Sequence, residues 1–133
     1  MNTTIKGGKD VAVIASRYRE IEPHLLEFQR DHTKQLIRSL YRSRDALDAS
    51  DTGTGKTYCA LATKHALDLP ALVVCPKPVM RFWERCAEEM GIEPPEVINY
   101  EMLRTGKTDY GQWIGNRFKW LIGDKDSLII FDE

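Results

Sequence analysis

From residue 46 to residue 133, short apolar runs alternate with stretches whose apolar positions repeat every three or four residues. This alternation restricts the fold more than any other feature of the chain. "PALVVCP" at 70–76 is apolar on both faces, bounded by prolines and too short for a helix, so it predicts a strand buried on both sides. "PEVINY" and "SLIIFDE" predict two further strands, and "DALDA" predicts another, interrupted by Asp48. "YCALATKHALDL" and "VMRFWERCAEEMG" predict helices, the second stopping at Gly91. "YGQWIGNRFKWLIG" is read as a helix with Trp113, Ile114, Phe118, Leu121 and Ile122 inward. Strands separated by helices give an α/β fold around a mainly parallel sheet, with ligands expected at the carboxyl ends of the strands.

Upstream, "MNTTIKGGKD" reads as a loose leader and "VAVIAS" as a short strand. From Pro23 the pattern turns helical, with Thr33, Leu36, Ile37, Leu40 and Tyr41 on one face. Arg30, Lys34, Arg38 and Arg42 step by four along a neighbouring face, either as a solvated flank or as a phosphate-contacting stripe. The expected division is a leader over 1–22 and one domain over 23–133.

With 42% hydrophobic and 29% charged residues the chain can form a packed core, and a net charge of −1 neither requires nor excludes a polyanionic partner. Cys59, Cys75 and Cys86 are three cysteines without C-x-x-C spacing, read as buried apolar groups in a reducing compartment. The histidines His24, His32 and His65 have no ligand-like spacing with them, so no zinc site is expected. No apolar run approaches the roughly 20 residues of a membrane span, and "VAVIA" is too short for a signal-peptide core. A cytoplasmic location is expected.

The loop "SDTGTGKT" at 50–57 lies between a candidate strand and a helix. Gly53 and Gly55 permit a sharp bend in which backbone N–H groups, with those of Thr52 and Thr54, cradle anionic oxygens. Lys56 supplies a mobile cation, the helix start adds its dipole, and the Thr57 hydroxyl suits a magnesium ion bridging phosphates. The string fits G-x-x-x-x-G-K-[ST] except at Ser50, which takes the first glycine position. "SLIIFDE" ends in Asp132 and Glu133, and acids at the end of a buried strand are either solvated or functional. In phosphate-loop ATPases such a pair holds the magnesium shell and orients the attacking water.

These stretches together resemble the first RecA-like domain of a superfamily-two helicase or translocase, of DEAD/DEAH-like and Swi/Snf type. "LLEFQRDHTKQL" resembles the upstream glutamine motif, with Gln29 at the glutamine, and "SDTGTGKT" resembles motif I. "ALVVCPKPVMRFWERCAEE" is similar to motif Ia and its helix, including Trp83, which is expected in the core. "VINYEMLR" is similar to an I-x-x-Y-E-x-L segment, and "LIIFDE" to the first half of motif II. The resemblance covers residues 23 to 133.

It implies a RecA-like P-loop NTPase fold and an ATP hydrolase using ATP and Mg2+. Gln29 would select adenine, and Thr52, Gly53, Thr54 and Gly55 would hold the phosphates. Lys56 would neutralise the outer phosphates, Thr57 and Asp132 would hold the metal, and Glu133 would activate water. Lys77 and Arg81, with "NYEMLR", would meet the sugar–phosphate backbone of DNA, the favoured partner, or RNA. By the same resemblance the chain stops within motif II, so a further strand and a second RecA-like domain are expected beyond it, and the 133 residues alone are expected to bind nucleotide weakly, if at all, and to hydrolyse almost nothing. Two other readings stay open: a different phosphate-loop enzyme, such as a kinase or clamp-loader-like ATPase, and a nucleotide-binding interaction module without hydrolysis.

Overall fold

A computed structural model describes residues 10–46, 48, 55–121 and 126–132. The first element is α1 (Val11–Ile21), where a strand is expected over "VAVIAS". Asp10 overrides that local preference: its carboxylate accepts the Val13 N–H at 2.8 Å and caps a helix. Ile14, Tyr18 and Ile21, spaced by four and three, then fall on one buried face. That face shares its core with residues of the later elements, so residues 11–21 pack with the body from which sequence reading separates them.

A single 3-10 turn at Glu22–His24 leads to α2 (Glu27–Ser43), which buries Gln29, Thr33 and Ile37, every fourth position. Two members of its basic stripe act within the fold. The Arg30 Nε donates to the Leu25 carbonyl at 3.2 Å, and the Lys34 ammonium lies 5.5 Å from the Tyr18 ring centroid. α3 (Lys56–Leu67) packs against both α1 and α2. Leu61, Ala62, Ala66 and Leu67 are fully buried, and they share one core with Val73 and Cys75 of the next strand.

That strand is β1 (Ala71–Cys75), buried at all five positions as its apolar run demands. After it, a 3-10 turn at Lys77–Val79 enters α4 (Met80–Met90), which ends on Gly91 at φ +67°. β2 (Glu96–Asn99) follows, then α5 (Tyr100–Thr105), capped by the Asn99 side chain, which accepts the Met102 N–H at 2.9 Å. Among the described residues the parallel sheet has the order β2-β1-β5, where β5 is Leu128–Phe131. Val74 of the central strand pairs with Ile98 on one side and Phe131 on the other. The expected strand at "DALDA" is not seen at Asp45, Ala46 or Asp48, while Leu47 and Ala49 lie outside the described residues.

The stretch "YGQWIGNRFKWLIG" departs most from expectation. It is a hairpin of β3 (Gly111–Ile114) and β4 (Arg117–Trp120), not a helix. The two-residue connection Gly115-Asn116, with Gly115 at φ +62°, is the tight turn that joins antiparallel strands. Trp113 opposite Phe118, with Trp120 beside it, forms one aromatic face. Ile114 and Leu121, expected inward, are 55% and 41% exposed, and Ile122 lies outside the described residues.

Candidate functional site

β1 and β5 run parallel and in register, so their carboxyl ends lie side by side. Asp132, one residue past β5, is held there by three contacts from three different elements. Its backbone N–H donates to the Val74 carbonyl of β1 at 2.8 Å. Its own carbonyl accepts the hydroxyl of Tyr100, the first residue of α5, at 2.5 Å. Its carboxylate Oδ2 accepts the indole N–H of Trp83 on α4 at 2.9 Å. Trp83 is only 2% exposed, so the indole sits in the core as expected while its N–H reaches the sheet end. The Cys75 thiol senses the same place: burial first, and then the charge of Asp132, push it up to about 11.

The phosphate-binding candidates that the structure describes begin α3. Gly55 is the N-cap in the left-handed region, at φ +78°, and no side chain caps the turn that follows. The first N–H groups of a helix have no intrahelical acceptor, so the backbone donors beside Lys56 and Thr57 suit an anion. α3 reaches β1 through residues 68–70 and shares a core with it. Three residues span at most about 10 Å, whereas a 12-residue helix is about 18 Å long. The last turn of α3 is therefore beside the start of β1. Thr52, Gly53, Thr54 and Glu133 lie outside the described residues.

Gln29 is drawn to the same helix start. It is 5% exposed, and its Oε1 accepts the Leu26 N–H at 2.9 Å, the returning half of a capping box. A Cβ at Gly55 would lie 2.0 Å from Gln29 Nε2, so the amide fills the space that any other residue at 55 would need. The Cys59 thiol of α3 also donates to the Gln29 carbonyl at 3.7 Å. Sequence reading gives Gln29 a ligand role, and the structure adds a tie between α2 and the loop residue Gly55. Lys77 and Arg81 are exposed, just beyond β1 and in the first turn of α4, and neither is in an ion pair among the described residues.

No group of three or more His, Cys, Asp or Glu converges for a metal ion among the described residues. Thr57 and Asp132 offer hard oxygen donors, and only Oδ2 of Asp132 carries a hydrogen bond to a described residue. Oxygen donors of this kind suit magnesium, which keeps several waters and relies on substrate phosphates with one or two protein oxygens. Sequence reading did not connect Trp83 or Tyr100 with Asp132. They lie 49 and 32 positions away, and only the packing of α4 and α5 on the sheet brings them there.

No helix among the described residues is long and apolar enough to cross a membrane. No protein-family model matches the chain. No solved structure matches it either. One curated protein is similar: a protein of Acanthamoeba polyphaga mimivirus whose name is "Putative ATP-dependent RNA helicase". The two are 31% identical over an alignment of 133 positions that covers 86% of this chain and 25% of the viral protein. The chain thus spans about a quarter of the length of the relative it matches. Over most of its own length, this chain is helicase-like.

Proposed function

We propose that this chain is the ATP-binding part of a nucleic-acid-dependent ATPase, folded as the first RecA-like domain of a superfamily-two helicase or translocase. The observation that carries the reading is the anchoring of Asp132 at the carboxyl end of β5, the strand whose acidic end resembles motif II. The order of glutamine helix, phosphate loop, motif Ia strand and acidic strand end supports it, as does the helicase-named relative.

In this reading the N–H groups from Thr52 to Gly55 cradle the phosphates and Lys56 neutralises their outer oxygens. Magnesium, when bound, neutralises charge developing on the transferred phosphoryl group. Thr57 and Asp132 hold it directly or through water, and Glu133 orients the attacking water. Gln29 reads the adenine edge. Lys77 and Arg81 meet the sugar–phosphate backbone, a contact without sequence preference that weakens with salt. The viral relative's name specifies RNA, whereas the motif Ia tryptophan and the "INYE" segment favour DNA.

Titrating a fluorescent ATP analogue with Mg2+ tests the core of the proposal. Lys56→Ala is expected to abolish binding, and Asp132→Asn to remove its magnesium dependence. Unchanged binding in both variants rejects it. Competition by GTP equal to that by ATP removes the adenine role of Gln29. Matched single-stranded DNA and RNA titrated between 50 and 200 mM salt identify the polymer, and flat binding across that range rejects backbone contact.

A further inference from the structure

We infer that Trp83 is a positioning residue for the magnesium-binding carboxylate: its indole N–H fixes Oδ2 of Asp132 and leaves Oδ1 to face the ion. The inference rests on the proposed function, because it takes Asp132 as the metal ligand. It adds a residue to which that function assigns no role.

A flexible Asp side chain just past a strand end rotates about two torsions, and either oxygen can face the ligand. Here the main chain of Asp132 is pinned on both sides. The N–H is tied to Val74 and the C=O to the Tyr100 hydroxyl, so the remaining freedom is in the side chain. The Trp83 N–H at 2.9 Å removes that freedom. The donor is itself rigid, because Trp83 is 2% exposed on α4 beside buried Cys86 and Ala87. A buried indole N–H needs an acceptor in any case. A carboxylate that also faces a ligand site is a costly choice unless its orientation matters, since a carbonyl would satisfy the N–H equally well.

Indole N–H is a donor only and carries no charge, so it orients the carboxylate without competing as a cation for its negative charge. This is how groups behind a metal ligand act generally: they select which oxygen is presented, and their removal lowers metal affinity by about 10- to 100-fold. Val79 and Met80, at the start of α4, pack on the same core.

The test uses the whole chain with 15N-labelled tryptophan. Its three tryptophans give three indole N–H signals, and that of Trp83 is identified by its loss in Trp83→Phe. Adding Mg2+ with a non-hydrolysable ATP analogue is expected to move the Trp83 signal. The same addition to Asp132→Asn is expected to leave it in place. A Trp83 signal that stays fixed while the analogue binds in a magnesium-dependent way overturns the inference.

Mn2+ affinity in the presence of the analogue provides the second measurement. Trp83→Phe is expected to weaken it about 10-fold, with affinity for the metal-free analogue unchanged. Wild-type Mn2+ affinity in Trp83→Phe, alongside impaired Asp132→Asn, overturns the positioning role and leaves the ATPase reading intact. Unimpaired Asp132→Asn removes that reading, and this inference with it. If Trp83→Phe does not fold, losses in Trp113→Phe and Trp120→Phe assign the remaining signal to Trp83, and its response still decides between the outcomes.

Discussion

β1 and the β3–β4 hairpin are both short β structures built from apolar side chains, yet they relate to the rest of the protein in opposite ways. β1 is buried at every position and takes hydrogen bonds from a neighbour on each side. In the hairpin, by contrast, Trp113, Ile114 and Trp120 are 47%, 55% and 37% exposed, and its strands join no third strand among the described residues. A two-stranded hairpin is marginal by itself, so it depends on the body through contacts such as Trp113 Nε1 to the Arg104 carbonyl and Trp120 to Phe131. The body has no matching need of the hairpin. Dependence should therefore run one way: damage in the sheet destroys both regions, and damage in the hairpin stays local.

The largest effect is expected from a charge placed at each centre. Val73→Asp puts an unpaired carboxylate at a site with no exposure, which should cost more than about 4 kcal/mol and unfold the chain. Ile114→Asp, on the exposed hairpin, should stay within about 0.5 kcal/mol. Urea unfolding followed by circular dichroism measures both, and comparable losses at the two sites would erase the contrast. Next come truncations. Leu61→Ala should cost about 2–5 kcal/mol globally. Phe118→Ala removes two edge-to-face ring contacts, each worth about 0.5–1.5 kcal/mol, and should loosen only the hairpin amides in hydrogen exchange.

Alkaline pH offers a chemical version of the same comparison, because all three thiols lie in the body and none in the hairpin. Burial raises each above the ordinary 9.0, with Cys75 reaching about 11. Between those values the unfolded thiol has lost its proton and the folded thiol keeps it, so the unfolded state binds fewer protons and stability falls as pH rises. For Cys75 the slope is on the order of 1 kcal/mol per pH unit from about 9 to about 11. Lys64, pulled below 10.5 by burial, has the opposite sign, so the loss should be clearest in Lys64→Met. Unfolding free energies that stay level over this range in that variant would mean the thiols are not shielded.

The two regions also differ in how far their sequences disclosed them. "ALVVC" and "LIIF" could be read because five or four consecutive apolar residues between turn formers have few other uses. α4 could be read from its period and from Gly91. The hairpin was missed because apolar positions at 113, 114, 118 and 121 imitate a helical period, although Gly115-Asn116 carried the turn signal. The reverse error occurred at "VAVIAS", where β-branched residues suggested a strand and the Asp10 cap decided for a helix.

At the proposed site, the residue types and their order along the chain are legible, and they are what puts Lys56, Thr57 and Asp132 forward as candidates. The hydrogen bonds of Trp83 and Tyr100 to Asp132 are not legible, since each depends on how a helix settles on the sheet. Nor is the closeness of Gln29 to Gly55. It makes Gly55→Ala a severe change, with backbone strain at φ +78° and a collision with Gln29 Nε2, and Gln29→Ala should relieve only the collision.

The finest test of one-way dependence uses two glycines that differ only in location. Gly91 ends α4 at φ +67° and Gly115 turns the hairpin at φ +62°, and a Cβ at either would meet nothing within 4 Å. Alanine therefore introduces the same penalty at both, about 1–2 kcal/mol of left-handed backbone strain, with no steric contribution. In Gly91→Ala that strain sits at the end of a helix whose inner face is Trp83, Cys86, Ala87 and Met90, so global unfolding should register it in full. In Gly115→Ala the strain can be released by fraying one turn, at the cost of little buried surface. The global urea midpoint should hardly move, while exchange at the Ile114 and Arg117 amides accelerates. Equal midpoint shifts for the two variants would show that the hairpin is cooperative with the sheet, and the comparison between the regions would fail at its most sensitive point.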